Sequence, residues 1–79
     1  MVEMDVSVLN PREVVFEGKA KSLIVPGEEG VFEVLPYHKR IISRLITGTM
    51  LIDNRDIQIL RGIIKVNQNK VAIIIEENI

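Results

Sequence analysis

The chain has 79 residues, of which 47% are hydrophobic and 27% charged, with a formal net charge of -1. That length suits a single domain over residues 1–79, burying roughly 60–65% of its unfolded surface around one core. With 10 basic against 11 acidic residues there is no basic face for nucleic acid; with no cysteine there is no disulfide or thiolate site; and the one histidine, His38, is too few for a His-based metal centre.

β-Branched residues dominate and alanine occurs only at Ala20 and Ala72, which favours pleated strands over helices. Val2, Met4, Val6 and Val8 alternate with Glu3, Asp5 and Ser7, the period of a half-buried strand. Asn10-Pro11 ends it, since proline fixes φ and donates nothing to a ladder. Val14 to Phe16 follows, closed by Gly18, and Ala20 to Val25 forms the next strand, stopped by a Pro26-Gly27 turn. Val31 to Leu35 ends at Pro36, and Ile41 to Ile46 leads into Thr47-Gly48. Thr49 to Ile52 and Ile57 to Arg61 flank Asp53-Asn54-Arg55-Asp56 as a hairpin. Ile63 to Val66 and Lys70 to Ile75 make a second hairpin across a three-residue loop, Asn67-Gln68-Asn69. The run Ile73-Ile74-Ile75 reads as a central strand buried on both faces, with Glu76 and Glu77 as flanking charges against aggregation. The predicted fold class is all-β, a small sandwich or barrel, with no stretch of sustained helical period.

No apolar run approaches the roughly 18 residues of a membrane helix. Met1-Val2-Glu3-Met4-Asp5 has no basic or apolar region of a secretory signal, so a cytoplasmic location without membrane insertion is the default. The chemistry-bearing patterns are sparse. Gly18-Lys19 lacks the spacing of a phosphate loop, and Glu28-Glu29 between Gly27 and Gly30 would repel a phosphate. Ser7, Ser22 and Ser43 have no nucleophile-elbow context. Neighbouring acids such as Glu28-Glu29 and Glu76-Glu77 point to opposite faces of a strand, so neither pair makes an acid/base site. Phe16, Phe32 and Tyr37 are too few for a base-stacking platform. Catalytic, cofactor and metal residues are accordingly expected to be none.

An ordered set of segments says more. Phe16-Glu17-Gly18 precedes Ser22-Leu23-Ile24-Val25-Pro26-Gly27-Glu28-Glu29-Gly30, then Val34-Leu35-Pro36-Tyr37-His38, Leu45-Ile46-Thr47-Gly48 and Gly62-Ile63-Ile64-Lys65-Val66. Over nearly the whole chain this resembles the epsilon subunit of F-type ATP synthases. Departures fall in loops: Tyr37 stands where the family has glycine, Lys39-Arg40 where it has Ala-Pro, and Arg61 before Gly62 where it has paired glycines. The family's Ile-Asp-x-x-Arg nucleotide motif is not matched by Ile52-Asp53-Asn54-Arg55, and the chain ends where the family's inhibitory helical hairpin would begin. From that end, coupling without inhibition of ATP hydrolysis is the expectation.

The resemblance implies a flattened β-sandwich of about ten strands. It implies a non-catalytic central-stalk subunit in a hetero-oligomeric complex, packed on the gamma subunit, touching the c-ring and helping couple proton transport to ATP synthesis. It places the partner contacts in segments holding Glu28, Glu29, Gly30, Val31, His38, Lys39 and Ile42, loops at one end of the sandwich with a mixed-charge rim. Two other readings use the residues alone. A lipoyl- or biotinyl-type carrier would place Lys70 at a hairpin tip, though Asn69 and Val71 are the wrong neighbours. A small β-barrel binding module for oligonucleotides is opposed by the neutral charge and the few aromatics.

Overall fold

The computed structural model describes residues 2–77. Among them the chain forms nine strands and no helix: β1 Met4–Leu9, β2 Val14–Ala20, β3 Leu23–Gly27, β4 Gly30–Val34, β5 Ile41–Leu45, β6 Gly48–Ile52, β7 Arg55–Ile59, β8 Arg61–Asn67 and β9 Lys70–Glu76. The all-β class is as the sequence indicated, with nine strands where the resemblance implied about ten.

The strands hydrogen-bond in the order β2-β1-β9-β8-β5-β3-β6-β7, with β4 on the other edge of β3. All pairs are antiparallel except β1 with β9. The path turns its corner at β3. Gly27 pairs with Leu45 of β5, whereas Leu23 and Ile24 pair with Ile52 and Leu51 of β6. β5 and β6 thus run one after the other along a single edge of β3, and Ile46 N–H donates to Pro26 O (2.9 Å) at the bend. The curl brings the two ends of the path together, with the Arg55 guanidinium of β7 5.5 Å from the ring centre of Phe16 on β2. The result is a flattened body of 35 × 26 × 20 Å.

Inward residues follow strand alternation. Met4, Val6 and Val8 of β1, Ile64 and Val66 of β8, and Val71, Ile73 and Ile75 of β9 face Leu23, Val25, Val34, Met50, Ile52, Ile57 and Ile59 in one apolar cluster. No polar or charged residue is buried among the described residues.

Several local readings are corrected. Ala20–Val25 is not one strand: Ala20 closes β2 and Leu23 opens β3. The break at Lys21-Ser22 is held by Asp53 Oδ1, which accepts from both backbone N–H groups at 3.0 Å. Gly18 does not stop β2 but pairs with Val6 inside it. Pro26 and Gly27 belong to β3, and the turn is Glu28-Glu29, with Gly30 at φ 128°. Gly27 is needed for close approach, because a Cβ there would stand 2.6 Å from Phe32 Cε1. The Asn67–Asn69 loop shortens to Gln68-Asn69, since Asn67 pairs with Lys70, and both turn residues have positive φ (50° and 63°). That is the twist-matched geometry of a two-residue hairpin. β9 is central but buried on one face only, with Ile73 and Ile75 at 0% exposure and Ile74 at 59%.

Candidate partner-binding surface

The outer face of the β1, β9, β8 and β5 layer is defined by register. Leu9 pairs with Ile74, Ile74 with Ile63, and Ile63 with Arg44, while Val14 of β2 continues the row beyond Leu9. Val14, Leu9, Ile74 and Ile63 are all exposed, so this is an apolar row crossing four strands on the solvent side. The next row is mixed: Glu17, Ser7, Ala72, Lys65 and Ile42. Isolated exposed apolar residues are ordinary, but a contiguous row is the mark of a contact surface.

At the Arg44 end the row opens into a cleft of about 750 Å³ lined by the Glu28–Val31 turn, Phe32, Ile42, Arg44 and Ile63. Glu28 N–H donates to Arg44 O (3.2 Å), which pins the turn to β5. The structure therefore brings Glu28, Glu29, Gly30, Val31 and Ile42 together around one cleft. His38 and Lys39 do not line it; they precede Ile41, the first residue of β5, and the antiparallel register carries the Glu28-Glu29 turn from Leu45 back along β5 toward Ile42. No ion pair links the acidic turn to Lys39 among the described residues.

The His38 loop is built from a turn in which His38 N–H donates to Leu35 O (3.1 Å) around Pro36 and Tyr37. Tyr37 has φ 64°, the left-handed position of a type II turn with proline before it. The half-buried His38 lies with Nδ1 2.8 Å from Lys39 O. Asn69 Oδ1 accepts from Tyr37 N–H at 2.9 Å, and Asn69 Nδ2 donates to Glu3 O at 2.8 Å.

Charges edge the apolar row. Arg61 pairs with Glu76 at one border. Beyond the mixed row, Lys19 Nζ lies 2.7 Å from Asp5 Oδ1. The hydrogen bond and charge of Lys19 hold the Asp5 carboxyl below its usual range, and Asp5 raises the lysine in return. Lys70 opens β9 opposite Asn67 and is not at the hairpin tip, which is Gln68-Asn69. Asp53, in the segment weighed as a nucleotide motif, spends its carboxylate on the Lys21 and Ser22 amides. No group of three His, Asp or Glu residues gathers to hold a metal among the described residues.

Sequence reasoning missed Ile63, Ile74, Leu9 and Val14. The signal was available for Ile74: in a strand, the middle residue of Ile73-Ile74-Ile75 must face away from the other two.

The fold is that of a β-sandwich domain with a wholly apolar interior and an exposed apolar row on one outer face. Residues 3–79 match the family of the ATP synthase delta/epsilon chain β-sandwich domain, and the chain belongs to that family. It is 34% identical over 76 residues to the ATP synthase epsilon chain of Leptospira borgpetersenii serovar Hardjo-bovis, covering 91% of this chain and 60% of that one. It is 33% identical over 81 residues to that of Sulfurimonas denitrificans, covering 96% and 62%. The chain thus spans about 60% of the length of these relatives. Its fold matches a chain of the Tetrahymena thermophila mitochondrial ATP synthase central stalk and c-ring with TM-score 0.81 at 14% identity, covering 94% of this chain and 63% of that one. A chain of the Euglena gracilis mitochondrial ATP synthase matches with TM-score 0.87 at 19% identity, covering 100% and 54%.

Proposed function

We propose that this domain is a non-catalytic rotor component of an F-type ATP synthase. It lies at the central stalk, peripheral to the cytoplasmic side of the membrane, and grips the gamma subunit while touching the polar loops of the c-ring. In that position it helps couple proton transport to ATP synthesis; the chemistry belongs to other subunits. The observation that carries the reading is the family match over residues 3–79, with relatives that are epsilon chains of ATP synthase.

The surface supports it physically. The row of Val14, Leu9, Ile74 and Ile63 suits the gamma subunit, because it is apolar, exposed and continuous across hydrogen-bonded strands. Fully burying an isoleucine contributes about 1.5–3 kcal/mol, and these side chains retain about half of their exposure to lose. The c-ring contacts fall to the turns: Glu28, Glu29, Gly30 and Val31 with Ile42 around the cleft, and His38 and Lys39 in the loop before β5. Exposed charges there act on orientation and encounter more than on affinity. A sheet frame also suits a part that must carry torque, since its layers are close-packed and resist deformation.

The test is capture. The tagged chain is incubated with detergent-solubilised membranes of its source organism, and the gamma and c subunits are sought by mass spectrometry. Their co-purification is expected, together with its loss in Ile74→Asp. Recovery of neither subunit by the folded wild-type chain would defeat the proposal.

A further inference from the structure

Asn69 joins three segments through one short side chain. It occupies the second position of the β8–β9 turn at φ 63°, a conformation asparagine tolerates better than most residues. Its Oδ1 accepts from Tyr37 N–H (2.9 Å), its Nδ2 donates to Glu3 O (2.8 Å), and its backbone oxygen accepts from Asp5 N–H (3.1 Å). The turn it reaches is itself unusual. Tyr37 stands in the left-handed region at φ 64°, and its ring is exposed, so packing of that ring does not hold it there. The bonds that define the turn are His38 N–H to Leu35 O and Tyr37 N–H to Asn69 Oδ1. The second crosses from the β8–β9 hairpin, and directly after it come His38 and Lys39.

We infer that Asn69 is a positioning residue, holding the Leu35–His38 turn so that His38 and Lys39 are presented to a partner in one shape. The binding half of this inference rests on the rotor reading above; the positioning half does not. Asn69 acts through the Tyr37 amide, not through contact of its own with the partner. Glycine in its place keeps the turn conformation and deletes both side-chain bonds. Aspartate keeps the acceptor for Tyr37 N–H and deletes the donor to Glu3.

The experiment compares wild type, Asn69→Gly and Asn69→Asp in the full chain by residue-resolved amide hydrogen exchange. In Asn69→Gly, exchange at Tyr37 and His38 should rise about tenfold, as for loss of one hydrogen bond holding a local segment. Exchange at Ile64 and Ile73 should stay unchanged, and Asn69→Asp should restore protection at Tyr37. A general loss of stability would move all four amides and would not be rescued selectively. Unchanged exchange at Tyr37 in Asn69→Gly overturns the inference, and so does failure of Asn69→Asp to restore it. The same variants are then tested for capture of a purified assembly of gamma subunit and c-ring. Weaker capture by Asn69→Gly than by Asn69→Asp supports the binding half, and equal capture by all three overturns it. Failure of wild type to bind that assembly counts against the rotor reading, while the exchange result still decides the role of Asn69.

Discussion

Ile64 and Ile73, on the inner face of the β1–β9–β8–β5 layer, are completely buried, whereas their chain neighbours Ile63 and Ile74 on the outer face are 51% and 59% exposed. The residue type is the same, the strands are the same, and the pairs even match in register, Ile64 with Ile73 and Ile63 with Ile74. Only the parity of position differs. The inner pair meets a second layer of apolar side chains and adds to folding; the outer pair meets solvent and adds little. The hydrophobic effect depends on area removed from water, not on residue identity.

The largest effect expected is therefore a split within one strand. Ile73→Ala should destabilise the domain by about 2–5 kcal/mol, a large share of the 4–12 kcal/mol or so typical for this length. Ile74→Ala should move stability by no more than about 0.5 kcal/mol while weakening capture of the stalk partner. Urea unfolding with a parallel capture assay reads both. Equal destabilisation by the two variants would erase the distinction between the faces.

Gly62 tests whether backbone spacing, as well as parity, separates them. It lies between exposed Arg61 and Ile63 and pairs with Ile75, and a Cβ there would stand 2.6 Å from Ile74 O. A carbonyl in a sheet cannot swing aside as a side-chain tip can. Gly62→Ala should cost about 1–3 kcal/mol, read by thermal unfolding; a neutral result would mean that β8 and β9 shift easily past each other.

A smaller effect of opposite sign is expected in the turns. Tyr37→Gly relieves a left-handed conformation that costs an L-residue about 1–2 kcal/mol. It also enlarges the freedom of the unfolded chain by about 0.4–1 kcal/mol. A net stabilisation of about 0.5 kcal/mol should appear as a higher urea midpoint. A lower midpoint would show that the exposed ring contributes packing after all.

The smallest effect belongs to the Asp5–Lys19 pair at the border of the outer face. Both groups are exposed, so solvent screens the pair heavily. Its contribution is present above the usual carboxylate range and is lost as pH falls through the lowered pKa of Asp5. At the alkaline end it is present below the usual lysine value and lost as pH rises through the raised pKa of Lys19. Asp5→Asn should leave stability near neutral pH almost unchanged and flatten the acid limb slightly. A marked drop at neutral pH would mean that the outer face contributes to folding electrostatically.

Most strands were legible because alternation, β-branched residues and turn formers coincided, as in β1. The hairpin after β6 was legible too, but its loop shortens from Asp53–Asp56 to Asp53-Asn54, since Arg55 and Asp56 pair with Ile52 and Leu51, and Arg61 belongs to β8. The misplacements share a cause. Pro26-Gly27 has the composition of a turn, yet Gly27 is required in the strand because Phe32 lies against it. Lys21-Ser22 carries no strong breaker, yet the chain breaks there because Asp53, far along the sequence, accepts both amides. The partner segments were suggested only through the resemblance, and their arrangement was not legible: five of those seven residues share a cleft, while His38 and Lys39 lie in the loop before β5, outside its lining.

By itself the sequence determined the all-β class, a single apolar core and the family, since each depends on residue type, spacing and order along the chain. It could not determine which isoleucine of a continuous apolar run meets a second layer. Nor could it foresee that Asn69 would reach Tyr37 across 32 residues. Those were decided by tertiary structure, because burial and long-range hydrogen bonds exist only once register and the turning of the sheet at β3 have brought distant strands together.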